Sequence, residues 1–156
     1  MPKVELDFDT RLAPELVKGA LLDFSAGRPE IWPGITPSLY EVYSVEETSA
    51  DIREGTKVPG GVFWAREHYD WSTPGLITWT VRESNFCTAG SYVSAAIAPR
   101  AGGGSSIHLT WNRTPTTFAG RVAAFMIKAT RGRPLRASME KAFKKIEEGS
   151  LQKPPR

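Results

Sequence analysis

The sequence predicts an α+β domain: an antiparallel sheet of about six or seven strands, two short helices after the first strand, and a long helical C-terminal stretch. Three observations predict it. The N-terminal residues alternate between apolar and acidic side chains. Residues 38–114 are dense in β-branched and aromatic residues and are cut at intervals by turn residues. From Thr114 onward, apolar side chains recur at helical spacing.

Val4, Leu6 and Phe8 alternate with Glu5, Asp7 and Asp9, the period of a half-buried strand. Ala13-Pro14-Glu15 opens a helix with proline and an acid in its first turn. Leu16, Ala20, Leu21 and Phe24 form its apolar stripe, and Gly27 is its stop. Arg28–Trp32 supplies one more helical turn. Strands are then predicted over Leu39–Glu47, continuing through Asp51–Lys57, and over Phe63–Trp71, Leu76–Arg82, Ser91–Ala98 and Ser106–Arg113. Pro59-Gly60-Gly61, Ser72-Thr73-Pro74-Gly75 and Ala101-Gly102-Gly103-Gly104 are the turns between them. Short connections of this kind indicate an antiparallel meander. Thr114-Pro115-Thr116-Thr117 starts the last helical run, with Phe118, Val122, Phe125, Met126 and Ala129 on one face and Leu135, Met139, Phe143 and Ile146 continuing it. Gly132 and Pro134 interrupt this run, and a single kinked helix is expected over two separate ones. One domain over 1–150 and a frayed tail over 151–156 complete the layout.

Composition bounds the function. The chain has 156 residues, 40% of them hydrophobic, which suffices for a core without covalent staples. The net charge of +3 is too small to imply a nucleic-acid partner, and none is expected. Cys87 is the only cysteine, so no intrachain disulfide forms, and with only His68 and His108 a metal site is not expected. No apolar run is long enough for a transmembrane helix. The N-terminus does not read as a signal peptide, and a cytoplasmic location is the expectation. Five Trp, four Tyr and seven Phe stand out in so short a chain.

Strand parity assigns these rings to faces. Phe63, Ala65, Glu67, Tyr69 and Trp71 share one face of their strand, and the set is more apolar than Trp64, Arg66, His68 and Asp70. Ile77, Trp79 and Val81, then Val93, Ala95 and Ile97, then Ile107, Leu109, Trp111 and Arg113 are the corresponding sets on later strands. Placed inward, these sets carry two charges, Glu67 and Arg113. Buried charge is costly unless paired or wetted. The two residues pair as a structural bridge, line a solvent-filled cavity, or sit at the wet end of the sheet.

The element order and several local motifs carry a resemblance. Phe63-Trp64-Ala65-Arg66-Glu67-His68-Tyr69-Asp70-Trp71 with Pro74-Gly75, then Ser84-Asn85, Gly90-Ser91-Tyr92, Pro99 with Gly103-Gly104, and Thr110-Trp111-Asn112-Arg113 resemble the START-like (SRPBCC) superfamily of polyketide cyclases/dehydrases and lipid-transport proteins. The likeness spans nearly the whole chain. It implies the helix-grip fold, a curved antiparallel sheet wrapped around the long C-terminal helix with a cavity between them. On that implication Phe63, Tyr69, Trp79, Trp111, Phe125 and Met126 form an apolar wall. Glu67, Arg113 and Tyr92 supply polar contacts, and Ile31, Trp32 and the glycine-rich loops border the entrance. No cofactor is implied. The expected partner is a small hydrophobic molecule such as a lipid, polyketide or aromatic metabolite, bound by a monomer or homodimer.

The resemblance leaves binding and catalysis both open. A cyclase/aromatase or dehydratase would use the same cavity, with Glu67 and Tyr69 as the acid/base candidates. His68 and His108 read as surface histidines, Cys87 as an unreactive thiol, and Gly102-Gly103-Gly104, lacking a following Lys-Ser/Thr, as a hairpin rather than a phosphate loop. Charge is uneven: residues 1–60 hold six basic and eleven acidic residues, whereas 121–156 hold ten basic and three acidic. The basic helix reads first as a solvated face, and second as a surface attracting anionic lipid, nucleic acid or a protein partner.

Overall fold

The structure is a computed structural model that describes residues 3–152, and of 149–152 the backbone alone. The alternation at the N-terminus gives strand β1, Lys3–Thr10, with Val4, Leu6 and Phe8 buried. Helix α1, Pro14–Leu21, starts at the proline and is shorter than expected. It buries Val17, Ala20 and Leu21 and leaves Leu16 exposed. Helix α2, Arg28–Ile31, is the single turn expected there, and a 3-10 turn at Pro37–Leu39 follows.

Six strands follow: β2 Glu41–Val45, β3 Ser49–Val58, β4 Gly61–Asp70, β5 Leu76–Ser84, β6 Tyr92–Pro99 and β7 Ser105–Asn112. The stretch expected as one strand with a continuation is a hairpin, β2 against β3. All pairings are antiparallel, in the order β1-β7-β6-β5-β4-β3-β2. The meander is local, but β1 joins it at the far end, beside β7. The inward sets follow parity: Ala65, Glu67, Tyr69, Ile77, Val81, Val93, Ala95, Ile107, Leu109 and Trp111 are all buried.

The C-terminal run is two helices, not one kinked helix. Helix α3 is Phe118–Ala129 and α4 is Arg133–Gln152. Thr117 caps α3, its Oγ1 accepting from the Gly120 amide at 3.0 Å. Arg131 (φ 54°) and Gly132 (φ 72°) end the α-helical hydrogen-bond ladder between them, and only glycine takes the second position easily. A Cβ on Gly132 would stand 2.8 Å from Leu6 Cδ2, so the break also lets the chain lie tightly on β1. Helix α4 lies in the grip of the curved sheet. Its Phe143 stacks on Phe8 at 6.0 Å and meets the Trp32 ring edge-on at 5.6 Å. The expected tail falls partly on α4, whose backbone is helical through Gln152; residues 153–156 lie outside the described residues. Among the described residues, no helix is long and apolar enough to cross a membrane.

Candidate functional site

Between the inner face of the sheet and α3 lies a cleft of about 330 Å³. Phe63, Ala65 and Glu67 of β4 and Trp111 with Arg113 at the end of β7 form its sheet side. Glu54, Gly55 and Thr56 of β3 continue that wall, and Gly34 and Ile35 border it. Phe86 and Cys87, after β5, close one end. Gly120, Ala123, Ala124 and Ile127 of α3 face it from the other side. The rim at Gly34 and Thr56 is exposed, whereas Ala65, Glu67, Cys87, Trp111 and Ala124 are buried. Phe63 and Phe86 stack at 4.8 Å, making a continuous aromatic surface. The volume and the mostly apolar lining suit a small organic molecule.

The polar end of the cleft is built by three strands. Glu67 points inward from β4 and is only 2% exposed. A bulge sits beside it: Arg66 pairs with Glu83 but Glu67 with Val81, leaving Arg82 as the extra residue on β5. Arg113 Nη2 donates to Glu67 Oε2 at 2.9 Å, so the two inward charges are a pair. Arg113 Nε is buried and has no acceptor among the described residues. The Glu54 carboxyl of β3 lines the same cleft. Complete burial pushes the Glu67 carboxyl up to about 8, with Arg113 pulling the other way and Glu54 adding to the rise. The site therefore holds a carboxylic acid, an arginine and a second carboxyl group side by side.

Behind this end lies a second cluster. Arg28 Nε donates to Glu54 Oε1 at 2.6 Å, Nη1 to the carbonyl oxygens of Leu21 and Asp23 at 2.8 and 2.9 Å, and Nη2 to the Tyr69 hydroxyl at 3.2 Å. Tyr69 in turn donates to Glu54 at 3.1 Å. Burial, with Glu54 reinforcing it, holds the Tyr69 hydroxyl well above the usual phenol range. Trp79 stacks on Tyr69 at 5.2 Å and Phe24 meets it edge-on at 5.1 Å. Arg28 and Glu54 thus join the cleft to the first two helices.

Of the residues expected on the cavity wall, Phe63, Glu67, Trp111 and Arg113 line the cleft. Tyr69 and Trp79 stand behind it in the core. Phe125 and Met126 are displaced from the expected wall: they lie on the outer face of α3, 66% and 54% exposed. Phe118, Val122, Phe125 and Met126 point out while Gly120, Ala123, Ala124 and Ile127 face the cleft, and Gly120 lets the first turn of the helix approach the segment after β5 closely; a Cβ on Gly120 would stand 2.9 Å from the Phe86 carbonyl oxygen. Tyr92, Ile31, Trp32 and the 101–104 loop do not line the cleft; the Trp32 indole donates to the Ala20 carbonyl at 3.1 Å. His68 and His108 are on the outer face, beside Asp51 and Asp7. Cys87 is a buried thiol held high by desolvation.

Parity would have found Glu54, which shares the inward face of β3 with Ala50 and Ile52. No local pattern marks Arg28, since an arginine in a single helical turn is ordinarily solvated.

No protein-family model and no curated protein matches the sequence. Solved structures do match, at low identity. A protein from Thermus thermophilus is 15% identical, with a TM-score of 0.76 over 96% of this chain and 99% of that one. A START superfamily protein from Mycobacterium smegmatis is 14% identical, with a TM-score of 0.74 over 94% and 97%. The Zhui aromatase/cyclase from a Streptomyces species is 14% identical, with a TM-score of 0.70 over 92% and 94%. The fold is the START-like helix-grip fold.

Proposed function

We propose that the cleft binds a small, largely apolar molecule whose one hydrogen-bonding oxygen meets Glu67 and Arg113. The observation that carries this is a cleft with aromatic walls that ends on the buried Glu67 carboxyl and its half-buried partner Arg113. Apolar rings supply affinity through burial, on the order of 25 cal/mol per Å² removed from water. The polar end supplies orientation. Protonated Glu67 and Arg113 both donate, so the end favours an acceptor, such as a ketone, a phenolate or a carboxylate oxygen. The START and aromatase/cyclase proteins of this fold support a ligand of the lipid or aromatic polyketide class.

A second reading, cyclization or dehydration of a polyketide-like substrate, draws on the same acid. A carboxyl group titrating near neutrality beside the cleft is suited to give a proton to a carbonyl oxygen and take one back. Tyr69 is the weaker candidate, because its hydroxyl is already engaged by Glu54 and Arg28.

The test is a fluorescence and calorimetric titration with fatty acids and with fused-ring aromatic ketones and phenols. Saturable binding is expected for at least one class, and Ala123→Trp, which fills the cleft from α3, abolishes it. Absence of saturable binding across the panel, or unchanged binding by that variant, overturns the reading. Turnover of a polyketide-like substrate that Glu67→Gln removes while leaving binding within a few-fold assigns catalysis.

A further inference from the structure

Helix α3 is built the wrong way round for a helix whose only partner is the sheet. A helix on a core ordinarily turns its large apolar residues inward. Among the described residues of α3 only Gly120 and Ala124 are buried. Phe118 is 80% exposed, Phe125 66%, Met126 54% and Val122 47%. Their spacing, with Ala129, places them on one continuous face. A contiguous exposed apolar face of this kind marks an interaction surface.

The charge around it is of one sign. Arg121 and Lys128 neighbour Phe125 one helical turn to either side, and Arg131, Arg133 and Arg136 follow in the linker and the start of α4. All five side chains are exposed. No Asp or Glu occurs between Glu83 and Glu140. A twofold pairing of α3 with its copy would set these cations against each other with no acid of the segment to neutralise them. An apolar stripe bordered by arginine and lysine matches an anionic lipid surface, with rings at the acyl boundary and cations among the headgroups.

We propose that the outer face of α3 docks on anionic membranes, with Phe118, Val122, Phe125 and Met126 entering the interface and Arg121, Lys128, Arg131, Arg133 and Arg136 contacting headgroups. The inner face of the same helix lines the cleft, so docking leaves the helix between the cleft and the lipid surface. The inference is independent of what the cleft holds, and it stands if the ligand reading fails.

Co-sedimentation of the full chain with vesicles tests it. The protein is expected to pellet with vesicles of equimolar phosphatidylcholine and phosphatidylglycerol and to remain in the supernatant with phosphatidylcholine alone. Phe118→Ser/Phe125→Ser is expected to lower partitioning about tenfold or more with an unchanged melting temperature, because both positions are exposed. A dye on Met126→Cys is expected to shift to the blue with the anionic vesicles, and one on Ala98→Cys of the outer sheet face is not. Equal partitioning by the double variant, no partitioning by the natural chain, or identical responses of the two dyes overturns the proposal. So does a dimer that the double variant dissolves, which makes a second copy the occupant.

Discussion

Glu67 decides most at the residue scale. Its folded carboxyl titrates near 8 against an ordinary 4.5, so the folded state holds a proton that the unfolded state releases. Stability from this group is therefore full below about pH 4.5 and is lost as pH rises through about 8. Glu67→Gln, neutral at every pH, should remove that slope. Denaturant midpoints from pH 5 to 9 should show the natural chain weakening relative to the variant, by on the order of a few kcal/mol. Parallel curves would place the proton elsewhere. Arg28 makes the second prediction. Removing it leaves Glu54 and the Tyr69 hydroxyl buried without their cation, so Arg28→Ala should cost about 3–5 kcal/mol in urea unfolding. Arg28→Lys should recover only part, because one ammonium group cannot reach Glu54, two carbonyls and Tyr69 in the fork the guanidinium uses. Glu67 and Arg113 were legible in the sequence because a charge at an inward parity position has to be explained. Arg28 was not, since its burial is created by contacts with β3 and β4 that are distant in the chain.

At the scale of elements, α3 shows where periodicity runs out. Phe118, Val122, Phe125 and Met126 form a stripe, but Gly120, Ala123, Ala124 and Ile127 form another on the opposite side. Spacing finds both and cannot say which meets the core. Proximity decides it: the helix sits too close to the Phe86 main chain for a large side chain. Gly120→Ala should therefore act against helix propensity. The substitution ordinarily gains roughly 1 kcal/mol in a helix, whereas forcing a Cβ to 2.9 Å from a carbonyl oxygen costs about 1–3 kcal/mol. A net drop in melting temperature is expected, and a rise would show that α3 moves off the sheet at no cost. The break before α4 was half legible. Gly132 and Pro134 announce an interruption, but Pro134 is tolerated in the first turn of a helix, so the same residues serve a kink or a new start.

For the whole molecule, the meander was legible because consecutive strands pair through short turns, each step leaving a local mark. The pairing of β1 with β7 leaves none, and neither does the cleft, whose volume depends on the distance between strands and a helix far apart in sequence. Charge works at this scale too. Arg121, Lys128, Arg131, Arg133 and Arg136 gather positive charge on one exposed stretch, which draws that stretch toward an anionic surface before contact. The two proposed activities should then separate by ionic strength. Exposed arginines and lysines act through solvent, where a Debye length of about 10 Å at 0.1 M salt shrinks to about 3 Å at 1 M. The rings and the Glu67–Arg113 pair of the cleft, its carboxyl buried and its arginine half-buried, are screened far less. Raising sodium chloride across that range should release the protein from anionic vesicles, while the affinity for an uncharged aromatic ligand changes less than about twofold. A parallel loss of both would mean that ligand capture depends on the basic surface and that the cleft alone is not the binding site.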